Sequence, residues 1–239
     1  MPTQLNPLPI SADLLYAVKT DGPTDRRRAS LATLERDRLK TALTSHRHRL
    51  SFWLNCYNAY VQLLEEEDPA AAAGGRIDQW RFFRRKRVPV AGAWLSLADI
   101  EHGMLRRSLS WGFGYLPRLF PSPFERQFRL EESDPRIHFA LSRGRETSPP
   151  VTVYSPIDCT TELDIATEWY LEANVRYEAE TNTVSLPRLF FWYRGDFGGR
   201  SGILEFLRRY EVIPEDAAPS FEYTADTVVD CAELTPAQR

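Results

Sequence analysis

The stretch Leu50–Glu66, LSFWLNCYNAYVQLLEE, decides the fold. It is apolar nearly all round a helical wheel, which marks a helix buried on every side rather than one with a wet face. Asp68-Pro69 closes it, because the residue before a proline is pushed out of the helical region. The AAAAGG run at 70–75 then reads as a linker loop. Inside the helix, Asn55 and Asn58 stand three apart on one face. A buried amide left unsatisfied costs about 1–3 kcal/mol, so both need partners. Two readings are open: they tie a neighbouring loop to the helix, or they line a polar pocket.

Outward from this helix the chain alternates between helical and extended patterns. On the N-terminal side, Ser11–Val18 reads as a short helix. Residues 30–45 read as another, with Leu31, Leu34, Leu39 and Leu43 near helical spacing. On the C-terminal side, Ser96-Leu97-Ala98-Asp99 resembles a capping box opening the helix SLADIEHGMLRRSL. The Pro- and aromatic-rich stretch Trp111–Phe124 reads as an irregular packed loop. Arg136–Leu141 alternates and reads as a strand, with Ile137, Phe139 and Leu141 on one face and Arg136, His138 and Ala140 on the other. Val151–Tyr154 reads as a second short strand, and Thr161–Ala173 as a helix. Val175–Ala179 and Thr183–Leu186 form a hairpin around Thr181-Asn182. Leu189–Tyr193 and Gly202–Tyr210 are helical again. The expected class is α+β: a helix-rich single domain with a small antiparallel sheet.

Composition bounds the function. Of the 239 residues, 43% are hydrophobic and 26% charged, which excludes a disordered chain. No run approaches the roughly 18 apolar residues of a membrane span, and the N-terminus lacks the pattern of a secretory leader. A soluble cytoplasmic protein is the expectation, without a membrane partner. Thirty basic residues against 33 acidic give a net charge of −3, which argues against nucleic acid as partner. Arg outnumbers Lys 27 to 3, a bias that a GC-rich genome explains most simply. The charge is uneven, at net +6 over Arg26–Arg49, +5 over Arg76–Arg87 and −6 over Glu211–Arg239. Cys56, Cys159 and Cys231 are too few and too far apart for a disulfide framework or a structural zinc site. No cofactor or metal motif is present.

Three further constellations carry chemistry. Glu101 has Leu97, Met104 and Leu105 at −4, +3 and +4, which sets a carboxylate in an apolar stripe. A buried Arg or His partner would hold it ionised; without one its pKa would rise. His102 projects about 100° away, toward Asp99 and Arg106. Second, Asp134-Pro135-Arg136-Ile137-His138 offers a guanidinium for an anion and an imidazole that titrates near neutrality. The loop that follows supplies hydroxyls at Thr147 and Ser148, conceivable nucleophiles for a His138 or His102 base. Third, Asp196 lies in Arg194–Gly199, RGDFGG, where glycines permit a sharp turn after a helix.

Four motifs in this order resemble the family known as domain of unknown function 547. FWLNCYNAYV looks like that family's FW-I-N-x-YNA helix, and LSLADIEHGMLR like its S-L-x-x-I-E-x-x-x-LR segment. DPRIHFALSRG…TSPP looks like its DPRIHFAL motif and the Ser-Cys-Pro loop after it. LPRLFFWYRGDFG looks like its F-x-W-Y-x-x-DF ending. The resemblance spans about Leu50–Tyr210. It implies a shared site at Asn55, Tyr57, Asn58, Glu101, Arg106, Asp134, Arg136, His138 and Asp196. One departure matters: where the family's loop carries two cysteines, this chain has Arg143 and Ser148. A thiol mechanism of cysteine-protease or transglutaminase-like architecture thus lacks its nucleophile, and Cys56, inside the buried helix, is no natural substitute.

The organisation expected is a helical extension at 1–49 packed on the core, a core domain at 50–210 and an acidic extension at 211–239. The function expected is a non-catalytic binding or scaffold module with a polar pocket for a small molecule or a protein. The ligand-binding candidates are Asn55, Asn58, Arg106, Asp134, Arg136 and Asp196. The alternative is a hydrolase or acyl-transferase using Glu101, His102 and His138, with Ser148 in place of the family cysteine.

Overall fold

Four helices open the chain: α1 (Pro7–Lys19), α2 (Asp25–Thr33), α3 (Arg36–Ala42) and α4 (His46–Glu67). They belong to a computed structural model that describes residues 6–117, 119–142 and 152–224. Every residue of α4 from Leu50 to Val61 is buried, as its all-round apolar sequence requires. Ser45 caps it by accepting from the His48 amide. Along one side lies α1, which contributes the fully buried Leu14 and Leu15.

The helix expected over 30–45 is two helices. Leu34 and Glu35 are extended between them, with ψ of 134° and 135°. One continuous helix would spread Leu31, Leu34, Leu39 and Leu43 over about 180° of its circumference at 100° per residue. The break re-phases them, and all four are buried. The 70–75 run is also not wholly loop. Asp68 leaves α4 and caps α5 (Pro69–Ala72) through the Ala71 amide, with Pro69 in the first helical position.

Next come α6 (Arg76–Arg84) and an antiparallel hairpin of β1 (Val88–Val90) and β2 (Ala93–Leu95). Ala91 and Gly92 both have positive φ at its tip, the geometry that matches strand twist in a two-residue turn. Ser96 and Asp99 form the expected reciprocal box: the Asp99 amide donates to Ser96 Oγ at 3.0 Å, and the Ser96 amide to Asp99 Oδ2 at 3.0 Å. The helix it opens, Asp99–Leu105, is a π-helix. The Trp111–Phe124 stretch is more ordered than expected. It ends β3 (Leu109–Trp111), turns through Gly112–Gly114, pairs back as β4 (Leu116–Pro117) and enters α7 (Pro123–Phe128).

The strand expected at Arg136–Leu141 is a helical turn, α8 (Ile137–Ala140). Asp134 Oδ1 accepts from the Arg136 amide and the Asp134 carbonyl from the Ile137 amide, so Asp-Pro starts a turn that overrides the alternation. Thr152–Tyr154 is irregular instead of a strand, and the Asn55 side chain rather than a neighbouring strand takes up the Tyr154 backbone bonds. Then follow α9 (Cys159–Asn174), β5 (Arg176–Glu178), β6 (Thr183–Pro187), α10 (Arg188–Trp192), α11 (Gly199–Arg209) and β7 (Ser220–Thr224). The hairpin at Thr181-Asn182 and all three helices fall where the sequence placed them. The sheet is mixed, not purely antiparallel: β6 pairs antiparallel with β5 and parallel with β7.

The architecture is helix-rich α+β. Its apolar interior forms two clusters. One centres on α4 and takes in α1 and the first hairpin; the other joins Phe139 to α10, α11 and β6. Ile137 belongs to the first and Phe139 to the second, so His138 sits at the seam.

Candidate functional site

At that seam stands a buried carboxylate, Asp196, in the sharp turn between α10 and α11. Arg106 grips it bidentately, with Nε donating to Oδ2 at 2.6 Å and Nη2 to Oδ1 at 2.9 Å. His138 Nε2 lies 2.8 Å from the same Oδ2, with its side chain fully buried. Burial pushes the Asp196 carboxyl up, but the Arg106 charge and the His138 hydrogen bond outweigh it and hold it well below the usual carboxylate range. Burial likewise works against the Arg106 cation, and the Asp196 charge overrides it, raising its pKa.

These bonds fix the tautomers. An ionised Asp196 only accepts, so His138 Nε2 carries the proton it donates. Arg106 only donates, so His102 Nδ1, at 2.8 Å from Arg106 Nη1, is a lone pair. Glu101 Oε1 also lies 3.9 Å from His102 Nδ1. With that nitrogen facing Arg106 as acceptor, the contact is no hydrogen bond. Glu101 instead accepts from Tyr193 Oη at 2.9 Å and Tyr57 Oη at 3.4 Å. The Tyr193 ring binds the assembly together: it stacks on His138 at 3.9 Å between centroids and lies beneath the Arg106 guanidinium at 4.4 Å.

Backbone geometry makes this approach possible. The Arg106 amide bonds to the Glu101 carbonyl, five residues back. In an α-helix these two residues would point about 140° apart. The wider π turn narrows that angle, and both are buried. Opposite them, the Gly195 amide donates to the Phe113 carbonyl at 2.8 Å. Gly114 has φ of +88°, and a Cβ there would overlap Asp196 Oδ1. Only glycine lets the β3–β4 turn come this close.

The two helix amides do a different job. Asn58 Nδ2 donates to the Ala140 carbonyl at 3.0 Å while its Oδ1 accepts from the Ser142 amide at 2.8 Å. Asn55 does the same for Tyr154, donating to its carbonyl at 2.8 Å and accepting from its amide at 2.9 Å. Both thus tie flanking backbone to α4, one on each side of residues 143–151, which lie outside the described residues. Ser148, the conceivable nucleophile, and Arg143 fall in that interval, outside the described residues.

Arg136 and His138 do not share a face as expected. A helical turn sends them apart, and Arg136 bonds Asp134 Oδ2 at 2.6 Å and Asp164 Oδ1 at 2.8 Å. Burial works against its cation too, and these two carboxylates override it. Asp134 and Arg136 therefore form a second cluster on α9, apart from Asp196. Cys56 is fully buried and its thiol is pushed far up by desolvation, which leaves it inert. Sequence reasoning missed Tyr193 and Gly114. Tyr193 stood inside a quoted motif, but no periodicity singled it out.

A family model described as "Protein of unknown function, DUF547" matches residues 41–171. The chain belongs to the DUF547 family. No curated protein and no solved structure matches it. The matched region holds the first three motifs and ends before the fourth, which supplies Tyr193 and Asp196. The Arg106–Asp196 and His138–Asp196 bonds join that last motif to the DUF547 region in space.

Proposed function

We propose that this DUF547 protein is a non-catalytic binding or scaffold module whose polar signature residues hold the fold together. One observation carries the reading: Asn55, Asn58, Glu101, Arg106, Asp134, Arg136 and Asp196 all bond protein partners, and His138, held by Asp196 through Nε2, is sealed from solvent. An internal hydrogen-bond network of this kind rigidifies a core and specifies one packing. Its partner is a small molecule or a protein. A cytoplasmic setting fits Cys56 and Cys159, both buried free thiols. No helix among the described residues is long and apolar enough to cross a membrane.

A second reading has one specific observation in its favour. His138 Nδ1 is buried without a hydrogen-bond partner while Nε2 is held by Asp196. That is the polarity of a general base oriented by a carboxylate, its lone pair ready to take a proton from a hydroxyl. It is the basis for a hydrolase or acyl-transferase. A panel of p-nitrophenyl esters and amides, assayed with wild type and His138→Ala, decides between the two. Equal, background-level turnover is expected. Wild-type hydrolysis that His138→Ala abolishes while circular dichroism stays unchanged would overturn the scaffold reading.

A further inference from the structure

The basic segment Arg76–Arg87 is not used by the network at the seam. Its arginines surround a cavity of about 350 Å3 lined by Arg81, Arg85, Arg87, Phe82, Asp68 and Asp78. That volume lies within the range of small-ligand sites, roughly 300–1,000 Å3. We propose that this cavity binds a small molecule bearing an oxyanion, a phosphate or a carboxylate, on an apolar body.

Three guanidiniums around one apolar wall carry the inference, Arg87 being the least exposed of the three. Arg87 Nε and Nη2 are buried and have no acceptor. Its nearest carboxylate oxygen, Asp68 Oδ2, is 3.7 Å from Nη1, beyond hydrogen-bond reach. The other partly or fully buried arginines of the candidate clusters are treated differently. Arg106 uses the same Nε–Nη2 edge to grip Asp196, and Arg136 bonds two carboxylates. Burial and the neighbouring Arg85 charge lower the Arg87 pKa by more than the Asp68 and Glu67 carboxylates raise it.

The carboxylates in the cavity have other work. Asp68 caps α5 through the Ala71 amide, and Asp78 lies in the first turn of α6, where a negative charge favours the helix. Three guanidiniums against two carboxylates leave one positive charge, suited to a single oxyanion rather than a polyanion. Phe82, buried and beneath the Arg87 guanidinium at 4.7 Å, supplies an apolar wall. None of its lining residues belongs to the proposed scaffold network, and the site stands whether or not that reading holds.

The test is thermal unfolding and calorimetric titration of the full chain with inorganic phosphate, against sodium chloride at matched ionic strength. Phosphate raises Tm of wild type beyond the chloride control. Arg85→Gln, at an exposed position, and Arg87→Gln each weaken apparent phosphate affinity about tenfold. Equal phosphate effects in wild type and Arg85→Gln, or an equal rise with chloride, overturn the site. A third arm uses anionic phospholipid vesicles. If these sediment the wild type while free phosphate has no effect, the arginines face a lipid surface and the small-molecule site is wrong.

Discussion

Asp196 shows what a single side chain can hold. One carboxylate bonds a buried guanidinium and a buried imidazole at once. Removing one partner of a buried pair costs about 3–5 kcal/mol, because the other charge stays behind uncompensated. Arg106→Leu is therefore expected to lower stability by that order in chemical unfolding, more than exposed Arg38→Ala, whose pair with Glu35 is on the surface. The acid dependence follows from the sign of the shift. A carboxyl whose folded pKa lies below its unfolded value, about 3.9, contributes stability fully present above that value and lost as pH falls toward the folded one. Wild type should lose stability steeply below about pH 4. In Asp196→Asn that limb should flatten, as read from unfolding free energies between neutral and acid pH. An unchanged acid limb would show that Asp196 is not held down by its partners. The sequence showed that Glu101 was buried in an apolar stripe, and it is. It did not show that Tyr193 and Tyr57 satisfy it, since both rings come from segments far away in the chain.

At the scale of elements, local pattern worked where one element buries one face. The central helix, the Ser96–Asp99 box and the hairpin at Thr181-Asn182 were all legible, because each rests on contacts a few residues apart. It failed where the backbone left regular geometry. Arg136–Leu141 alternates like a strand, yet Asp134-Pro135 starts a helical turn whose residues are buried against two different clusters. Asp99–Leu105 looks like an α-helix, yet its i→i+5 bonds bring Glu101 and Arg106 together. β7 escaped notice because most of its residues are exposed and carry no alternation. The α4 amides give a test at this scale. Asn58 holds the backbone of Ala140 and Ser142, so Asn58→Leu adds apolar surface but strands a buried carbonyl and a buried amide. A loss of about 2 kcal/mol or more is expected, one unsatisfied group costing roughly 1–3 kcal/mol. A Tm equal to or above wild type would show that other groups satisfy this backbone.

For the whole molecule, the seam between the two apolar clusters is the deciding feature. Arg106 and Glu101 reach it from the π-helical turn, His138 from α8, and Tyr193 and Asp196 from α10 and the turn after it. A fragment ending at residue 171 would keep the whole DUF547 match but leave Arg106, His138 and Glu101 facing an open seam. Such a fragment is expected to lack a cooperative thermal transition, whereas the full chain unfolds through one; calorimetry of both tells. The class, the central helix, the family and nearly every residue of the network were legible in the chain, because residue type and local spacing record which groups cannot be left wet or unpaired. Which of them meet was set by the crossing of distant segments. It separated Arg136 from His138, paired Arg106 with Asp196 ninety residues away and turned the asparagines onto loop backbone. Such pairings depend on where distant segments cross, and neither periodicity nor propensity encodes that crossing.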